Sequence, residues 1–208
     1  MRVKPSTEDW AVARRVYRAF ARKPGSGHIA SEVALAHVAA VVRVGKIKSV
    51  LEFGAGIGTV TYLLLDCLPK DRTLVSTEHN PFCRDQLARN LPADMRQGFR
   101  VLCPHEKEGS ESFDLVIVDG KLAKTQMSDY LRPGSICFIE GDRARTRTTI
   151  HAGLAKRTLF CDFEYHSRRA KRLDWRKSSF GLSYPRVNLS LTPTRGCWIG
   201  EVSPAPPA

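Results

Sequence analysis

The stretch VLEFGAGIGT, residues 50–59, decides the fold that we expect for this chain. An apolar run ends in three glycines at alternate positions, Gly54, Gly56 and Gly58, and a helix-like segment follows. Glycine accepts a positive φ and has no Cβ, so such a turn brings backbone N–H groups and a helix N-terminus close to a ligand. The stretch therefore predicts a strand, a ligand-binding turn and a helix. A tight turn that binds no ligand is the alternative.

Short apolar runs alternate with helical segments from residue 49 onward, which is typical of βαβ units and a mostly parallel sheet. The pattern predicts strands at 49–53, 73–77, 99–103, 113–118, 135–140, 158–164 and 195–202. It predicts helices at 57–68, 81–91, 122–131 and 144–154, and two earlier helices at 8–22 and 29–44. The expected fold class is α/β, a Rossmann-like, doubly wound, mostly parallel seven-stranded sheet with an antiparallel last strand and two N-terminal helices.

Composition limits the class of protein. The chain has 208 residues, of which 42% are hydrophobic, and it contains no run of about 18 apolar residues. Its N-terminus has no apolar signal core, so we expect one domain of a soluble, cytoplasmic protein with no membrane partner. Six cysteines lie far apart without a CxxC pair, which argues against zinc ribbons and disulfide scaffolds and predicts buried thiols.

The first of the two N-terminal helices carries an aromatic face. Trp10, Tyr17 and Phe20 share one side of this helix, and Ser6 with Asp9 forms a capping-box pattern at its start. These aromatic side chains pack either on the sheet or on a second subunit of a homodimer. The sequence leaves both alternatives open.

Acidic residues stand at the ends of three predicted strands. Glu52 lies two residues before the first glycine, Glu78 follows the second strand, and Asp119 follows the fourth. Ligands of open α/β sheets bind outside the carboxyl ends of the strands, so we expect the three acids to converge on one crevice. A carboxylate in the position of Glu78 can accept both ribose hydroxyls of an adenosine cofactor.

The pattern E-x-G-x-G-x-G that begins at Glu52 resembles the first motif of class I S-adenosylmethionine-dependent methyltransferases. The run Glu78-His79-Asn80-Pro81 is similar to the E-x-N-P of the catechol O-methyltransferase-like group. The dinucleotide fingerprint GxGxxG would need a glycine where Thr59 stands, which disfavours a nicotinamide oxidoreductase. The resemblance covers residues 49–142 and divides the chain into a helical extension at 1–45, a cofactor-binding core at 46–142 and a C-terminal half at 143–208 with a basic insertion.

The resemblance implies an enzyme that transfers the methyl group of S-adenosylmethionine, most simply to an oxygen of a small and anionic acceptor. The implied cofactor-binding residues are Glu52, Gly54, Gly56, Gly58, Glu78, His79 and Asp119. Asp119 also stands at the catalytic edge, and Lys121 is the candidate general base, close to the position of the family's lysine. Lys124 and His105 are alternative bases, and an ordinary surface residue is the alternative for all three, Lys121 included.

The same resemblance implies a Mg²⁺ ion held by Asp, Asp and Asn. Asp119 matches the first of these ligands. Glu140 and Gly141 replace the Asp-Asn pair, and Asp142 stands one position further on. These departures put the octahedral oxygen set that Mg²⁺ demands in question, so we assign no metal ligand and keep Mg²⁺ only as an alternative cofactor.

Positive charge is concentrated in two regions of the chain. Residues 1–24 hold 7 basic and 2 acidic residues, residues 143–186 hold 12 and 3, and the remainder holds 14 and 16. Bands of arginine and lysine with an interleaved tryptophan suit phosphate backbones and stacked bases. The alternatives are therefore an RNA methyltransferase, or a non-catalytic polyanion-binding protein, that uses 143–186. A small anionic acceptor and a merely solvated hairpin are equally compatible with the charge.

Overall fold

The computed structural model describes residues 3–96, 99–102, 112–120, 127–141, 143–167, 175–177, 183–185 and 196–205. The α-helices are α1 Thr7–Phe20, α2 Glu32–Gly45, α3 Thr59–Cys67, α4 Pro81–Asn90 and α5 Ala144–Ala155. The strands are β1 Ser49–Phe53, β2 Thr73–Thr77, β3 Phe99–Leu102, β4 Leu115–Val118, β5 Ile136–Glu140, β6 Leu159–His166, β7 Trp175–Lys177, β8 Ser183–Pro185 and β9 Cys197–Pro204. Short 3-10 turns occupy Ser26–His28, Ala93–Arg96 and Met127–Tyr130.

Seven strands form one sheet in the order β3-β2-β1-β4-β5-β9-β6, and β7 pairs with β8 separately. β9 runs antiparallel to both of its neighbours, β5 and β6, while β1 to β5 are mutually parallel. The predicted fold class is therefore confirmed. The strand order reverses between β1 and β4, and this switch point is where open α/β sheets place their ligand crevice.

The N-terminal helices cover one face of the sheet. α2 is buried along almost its whole length, from Val33 to Val42. Phe20 is 1% exposed, and its ring lies 5.6 Å from that of Tyr62 on α3. Trp10 and Tyr17 pack against the same core. The aromatic side chains of α1 therefore pack against the core of this chain, with Phe20 fully buried and Trp10 and Tyr17 partly buried.

Some element boundaries differ from the prediction. β4 begins at Leu115 rather than at residue 113, and just before it the Asp114 carboxylate accepts hydrogen bonds from the backbone N–H groups of Lys48 and Ser49 at 3.0 Å each. The predicted helix 122–131 lies mostly outside the described residues. Its described part contains only the 3-10 turn Met127–Tyr130, so a regular helix over these residues is wrong.

The described cysteines are all free thiols; three are buried, as predicted, whereas Cys67 and Cys83 are partly exposed. Cys137, Cys161 and Cys197 are buried in the core, and burial raises the pKa of each thiol. A buried thiol with a raised pKa is unreactive, so these side chains act as small hydrophobic residues. Within the described ranges, no helix is both long enough and apolar enough to cross a membrane.

Candidate functional site

The glycine turn directly follows β1, at the switch point of the sheet. Gly54, Gly56 and Gly58 have φ values of 90°, 55° and 97°, which favour glycine. A Cβ on Gly54 would lie 2.8 Å from the backbone N and Cα atoms of Gly120, so the ends of β1 and β4 touch there. A Cβ on Gly58 would lie 2.7 Å from a methyl group of Leu87 on α4. Two of the three glycines therefore serve close packing inside the protein.

Gly56 differs from the other two glycines because it borders open space. A Cβ on this residue would meet no atom within 4 Å, although its φ is positive. Because Gly56 has no side chain, the space beside it stays open, and a ligand could occupy that space.

The backbone N–H groups of the turn are bonded within the protein. Gly54 and Ala55 both donate to the carbonyl of Thr77 at 3.0 Å, and Gly58 donates to the carbonyl of Ala55 at 2.9 Å. Gly56 donates to Oε2 of Glu78 at 2.7 Å. These four amides therefore have hydrogen-bond partners within the protein, as backbone groups enclosed by a protein must. Because its glycines have no side chains, the turn can let a ligand approach its Cα atoms closely.

Glu78 joins the glycine turn to the start of α4. Its Oε1 accepts from the N–H of Asn80 at 2.8 Å, and its Oε2 accepts from Gly56 as described above. The residue is only 6% exposed. A carboxylate has about four acceptor sites, so two remain for other donors. The neighbouring His79 is 73% exposed, with Nδ1 3.7 Å from Oε1 of Glu78.

Glu52 lies beneath the turn, fully buried between β1, β2 and α3. Its Oε2 accepts from the hydroxyls of Thr61 at 2.7 Å and Ser76 at 2.5 Å, whereas Oε1 has no hydrogen-bond partner among the described residues. Burial raises the pKa of Glu52 to about 6 against the opposing hydrogen bonds from Ser76 and Thr61, and the charge of Glu78 adds to the rise. An unpartnered oxygen in a buried carboxyl group is a marked cost to the fold.

We expect the raised pKa of Glu52 to make the stability of the protein depend on pH. A carboxyl group whose pKa is higher in the folded than in the unfolded state makes its full contribution to the stability of the fold below the unfolded-state pKa, 4.5. That contribution is lost as the pH rises through the folded-state pKa, about 6. The loss amounts to about 2 kcal/mol by pH 7. Glu52→Gln should remove this part of the pH dependence, as measured by urea unfolding at about pH 4.5 and about pH 7.5.

The matched control is Glu8→Gln, the same chemical change at an exposed position on α1. It should keep the full pH dependence of the wild type. If the unfolding free energy of Glu52→Gln changes between the two pH values as much as those of Glu8→Gln and the wild type do, the raised pKa of Glu52 is refuted.

Asp119 follows β4 at the same edge of the sheet, beside Glu140 at the end of β5. The two side chains are 15% and 14% exposed and hydrogen-bonded to each other. Burial raises the pKa of Asp119 well above its usual range, the charges of Glu140 and Glu52 add to the rise, and Arg143 opposes it. Nη2 of Arg143 lies 3.5 Å from Oδ1 of Asp119 and 3.8 Å from Oε2 of Glu140.

The predicted acids therefore lie at one edge of the sheet and influence each other electrostatically, although Glu52 points into the protein. Lys121, Lys124, His105 and Asp142 lie outside the described residues, and their roles stay predictions. Sequence reasoning did not assign Arg143 to the site. In the sequence, Arg143 is only one of the positive charges of the basic region 143–186, and no local motif marks its contact with Asp119.

Of Arg143, Arg145 and Arg147, which follow β5, two are less available to a polyanion than the sequence indicates. The guanidinium carbon of Arg147 lies 3.6 Å from the centre of the buried Trp198 ring, and Arg147 is 8% exposed. Arg143 contacts Asp119 and Glu140, and only Arg145 of these three arginines is exposed. Most of residues 166–177 lies outside the described residues.

Comparisons with known proteins bear on the fold of this site. No protein-family model matches the sequence, and no curated protein matches it. An O-methyltransferase from Streptomyces achromogenes involved in tomaymycin synthesis, solved with S-adenosylmethionine, is 18% identical with a TM-score of 0.53, over 98% of this chain and 92% of that chain. The chain has the fold of class I methyltransferases.

Two further solved structures share this methyltransferase fold. An O-methyltransferase from Bacillus cereus, in complex with S-adenosylhomocysteine, is 16% identical with a TM-score of 0.52, over 96% of this chain and 92% of that chain. A tRNA methyltransferase from Aquifex aeolicus is 14% identical with a TM-score of 0.58, over 90% of this chain and 75% of that chain. The fold thus accompanies both small-molecule and RNA enzymes, and it leaves the acceptor open.

In this methyltransferase fold, the acid pair does not fit a Mg²⁺ ion. The guanidinium of Arg143 lies against both carboxyl groups, and Gly141 has no side chain to serve as a ligand. The described residues contain no group of three or more His, Cys, Asp or Glu side chains arranged to hold a metal.

Proposed function

We propose that this chain is an S-adenosylmethionine-dependent methyltransferase that transfers a methyl group to an oxygen of a small-molecule acceptor. The observation that carries the proposal is the pairing of Gly56 with Glu78. A buried carboxylate with two spare acceptor sites borders an open, side-chain-free surface, at the switch point of a methyltransferase fold.

Two features of the chain fit an adenosine cofactor with an amino-acid end. The space at Gly56 is one that a Cβ would occupy, and Oε1 of the buried Glu52 has no hydrogen-bond partner in the part of the chain that the structure describes. Glu78 would bind the ribose hydroxyls, and Glu52 would attract the positive amino-acid end of the cofactor through its charge. His79 is exposed next to Glu78 and would flank the adenine. When bound, the cofactor supplies an electrophilic methyl group on its sulfonium.

The acceptor side of the site lies at the ends of β4 and β5. There Asp119, in its ionised form, would take the proton of an acceptor hydroxyl, because a carboxylate with a raised pKa is a stronger base than an ordinary one. Glu140, hydrogen-bonded to Asp119, would hold that carboxyl group in place. Lys121 remains the other predicted base.

Isothermal titration with S-adenosylmethionine and S-adenosylhomocysteine tests the proposal. We expect both to bind with micromolar affinity and one-to-one stoichiometry, because they share the adenosine and amino-acid parts that the site would hold. NAD is the control ligand and should not bind, since Thr59 replaces the third glycine of the dinucleotide fingerprint. Absence of binding by both S-adenosyl ligands would refute the proposal.

An RNA methyltransferase is the second candidate, and α1 supplies the observation in its favour. Arg14, Arg18 and Arg22 are exposed and spaced four residues apart, so they lie along one side of the helix and its C-terminal extension. Phosphate contacts of this kind make affinity fall steeply with salt. Salt-dependent binding of a transfer RNA, together with methyl transfer to it from labelled cofactor, would replace the small-molecule acceptor with RNA.

A further inference from the structure

Arg143 is fixed at the carboxyl ends of β4 and β5 by backbone carbonyls. Its Nε donates to the carbonyl of Glu140 at 2.8 Å, Nη1 to that of Gly120 at 3.2 Å, and Nη2 to that of Asp119 at 2.9 Å. Three of the five guanidinium N–H groups are thereby used, each on a different carbonyl. The position of the positive charge is therefore set by the main chain of two strands.

The same guanidinium is the positive partner of the acid pair. Nη2 approaches the carboxyl groups of Asp119 and Glu140 to 3.5 Å and 3.8 Å, and the Arg143 side chain is 32% exposed. Two largely buried acids at the ends of neighbouring strands favour a nearby cation, because an unpaired charge is costly to bury. Arg143 meets that requirement from within the chain.

A divalent cation could not share this position with Arg143. Mg²⁺ requires six oxygen ligands at about 2.0–2.1 Å in octahedral geometry. The carbonyl oxygens of Asp119, Gly120 and Glu140 already accept from the guanidinium, and both carboxyl groups lie against it. A metal ion at the carboxyl pair would lie a few ångströms from a fixed positive charge and be repelled by it.

We propose that the guanidinium of Arg143 takes the place of a divalent cation at Asp119 and Glu140, so that methyl transfer at this site runs without a metal ion. The inference rests on the proposed function for the reaction, but the occupancy of the acid pair does not depend on the acceptor. Arginine stays protonated at all physiological pH values, so this positive charge is permanent and insensitive to chelators.

The experiment titrates Mn²⁺ into the full chain in the presence of S-adenosylhomocysteine and follows free Mn²⁺ by electron paramagnetic resonance. The wild type should bind no stoichiometric Mn²⁺. Arg143→Ala should bind one Mn²⁺ on the order of 10-fold more tightly than the wild type or better, because a positive charge beside the carboxyl groups is removed. Adding Asp119→Asn to Arg143→Ala should abolish that binding.

Arg145→Ala is the matched control, since Arg145 is exposed in the first turn of α5 and two residues away. It should behave as the wild type does. Arg143→Gln keeps N–H donors for the carbonyls while removing the charge, and it replaces Arg143→Ala if circular dichroism shows that the alanine variant is unfolded.

Two results would overturn the inference. One is a wild type that binds a single Mn²⁺ ion which Asp119→Asn removes. The other is an Arg143 variant, folded and tested as above, that gains no Mn²⁺ binding, because Arg143 would then not be what keeps a metal out. Affinity for S-adenosylhomocysteine is recorded in the same samples, so a failure of the proposed function is seen separately.

Discussion

Gly56→Val should abolish measurable binding of S-adenosylmethionine, which corresponds to a loss of affinity on the order of 100-fold or more. The wild-type residue borders open space, and the Cβ of a valine would enter that space with no protein atom within 4 Å. The φ of 55° adds strain of about 1–2 kcal/mol to any side chain at this position. Titration calorimetry gives the affinity, and thermal unfolding gives the cost to the fold.

Gly134→Val separates the loss of the binding surface from the backbone strain. Gly134 has a φ of 86° and likewise has no atom within 4 Å of an added Cβ, but it precedes β5 at the opposite edge of the sheet. This variant should be destabilised to a similar extent and should bind the cofactor with wild-type affinity. An equal loss of affinity in both variants would attribute the effect to strain, and unchanged affinity in Gly56→Val would remove the basis of the proposed function.

Glu78→Gln should weaken binding of S-adenosylmethionine and S-adenosylhomocysteine equally, on the order of 100-fold, because two hydrogen bonds to a charged acceptor are lost or weakened. Both carboxylate oxygens accept from backbone N–H groups, those of Gly56 and Asn80. The amide nitrogen of glutamine must therefore face one N–H group as a second donor, which displaces the turn from the start of α4. Calorimetry with both ligands measures the effect.

Asp94→Asn is the control for this change of carboxylate to amide, since Asp94 is exposed in a 3-10 turn. It should leave both affinities unchanged. Glu78→Asp keeps the charge while shortening the side chain by one methylene, and an intermediate loss is expected. A much larger loss for S-adenosylmethionine than for S-adenosylhomocysteine would mean that Glu78 acts near the methyl group instead of the ribose.

The fold was predictable because its signals are local. The stretch 50–59 combines a strand, a turn that only glycine accepts and a helix within ten residues, and each part constrains its neighbours. The acids at strand ends followed from counting strands, since all parallel strands deliver their carboxyl ends to one edge. Glu78 and Asp119 therefore could be located without knowing any contact.

Contacts between distant segments could not be predicted. Arg143 donates to Gly120 and Asp119, which lie 23 and 24 residues earlier in the chain. Nothing next to Arg143 in the sequence distinguishes it from the exposed Arg145. The direction of Glu52 was also hidden, because its burial depends on the hydroxyls of Ser76 and Thr61, which come from β2 and α3.

The position of β9 between β5 and β6 delays completion of the sheet while the chain is being synthesised. β6 ends at residue 166, but its neighbour in the sheet, β9, spans residues 197–204 and inserts between β5 and β6. At ordinary rates of translation, about 5–20 residues per second, the ribosome completes β9 about 2 to 8 seconds after it completes β6. During that interval β5 and β6 expose unpaired edges, which invite pairing with other chains. For these seconds the nascent chain is therefore most exposed to aggregation, and a chaperone that covers the edges of β5 and β6 would protect it most.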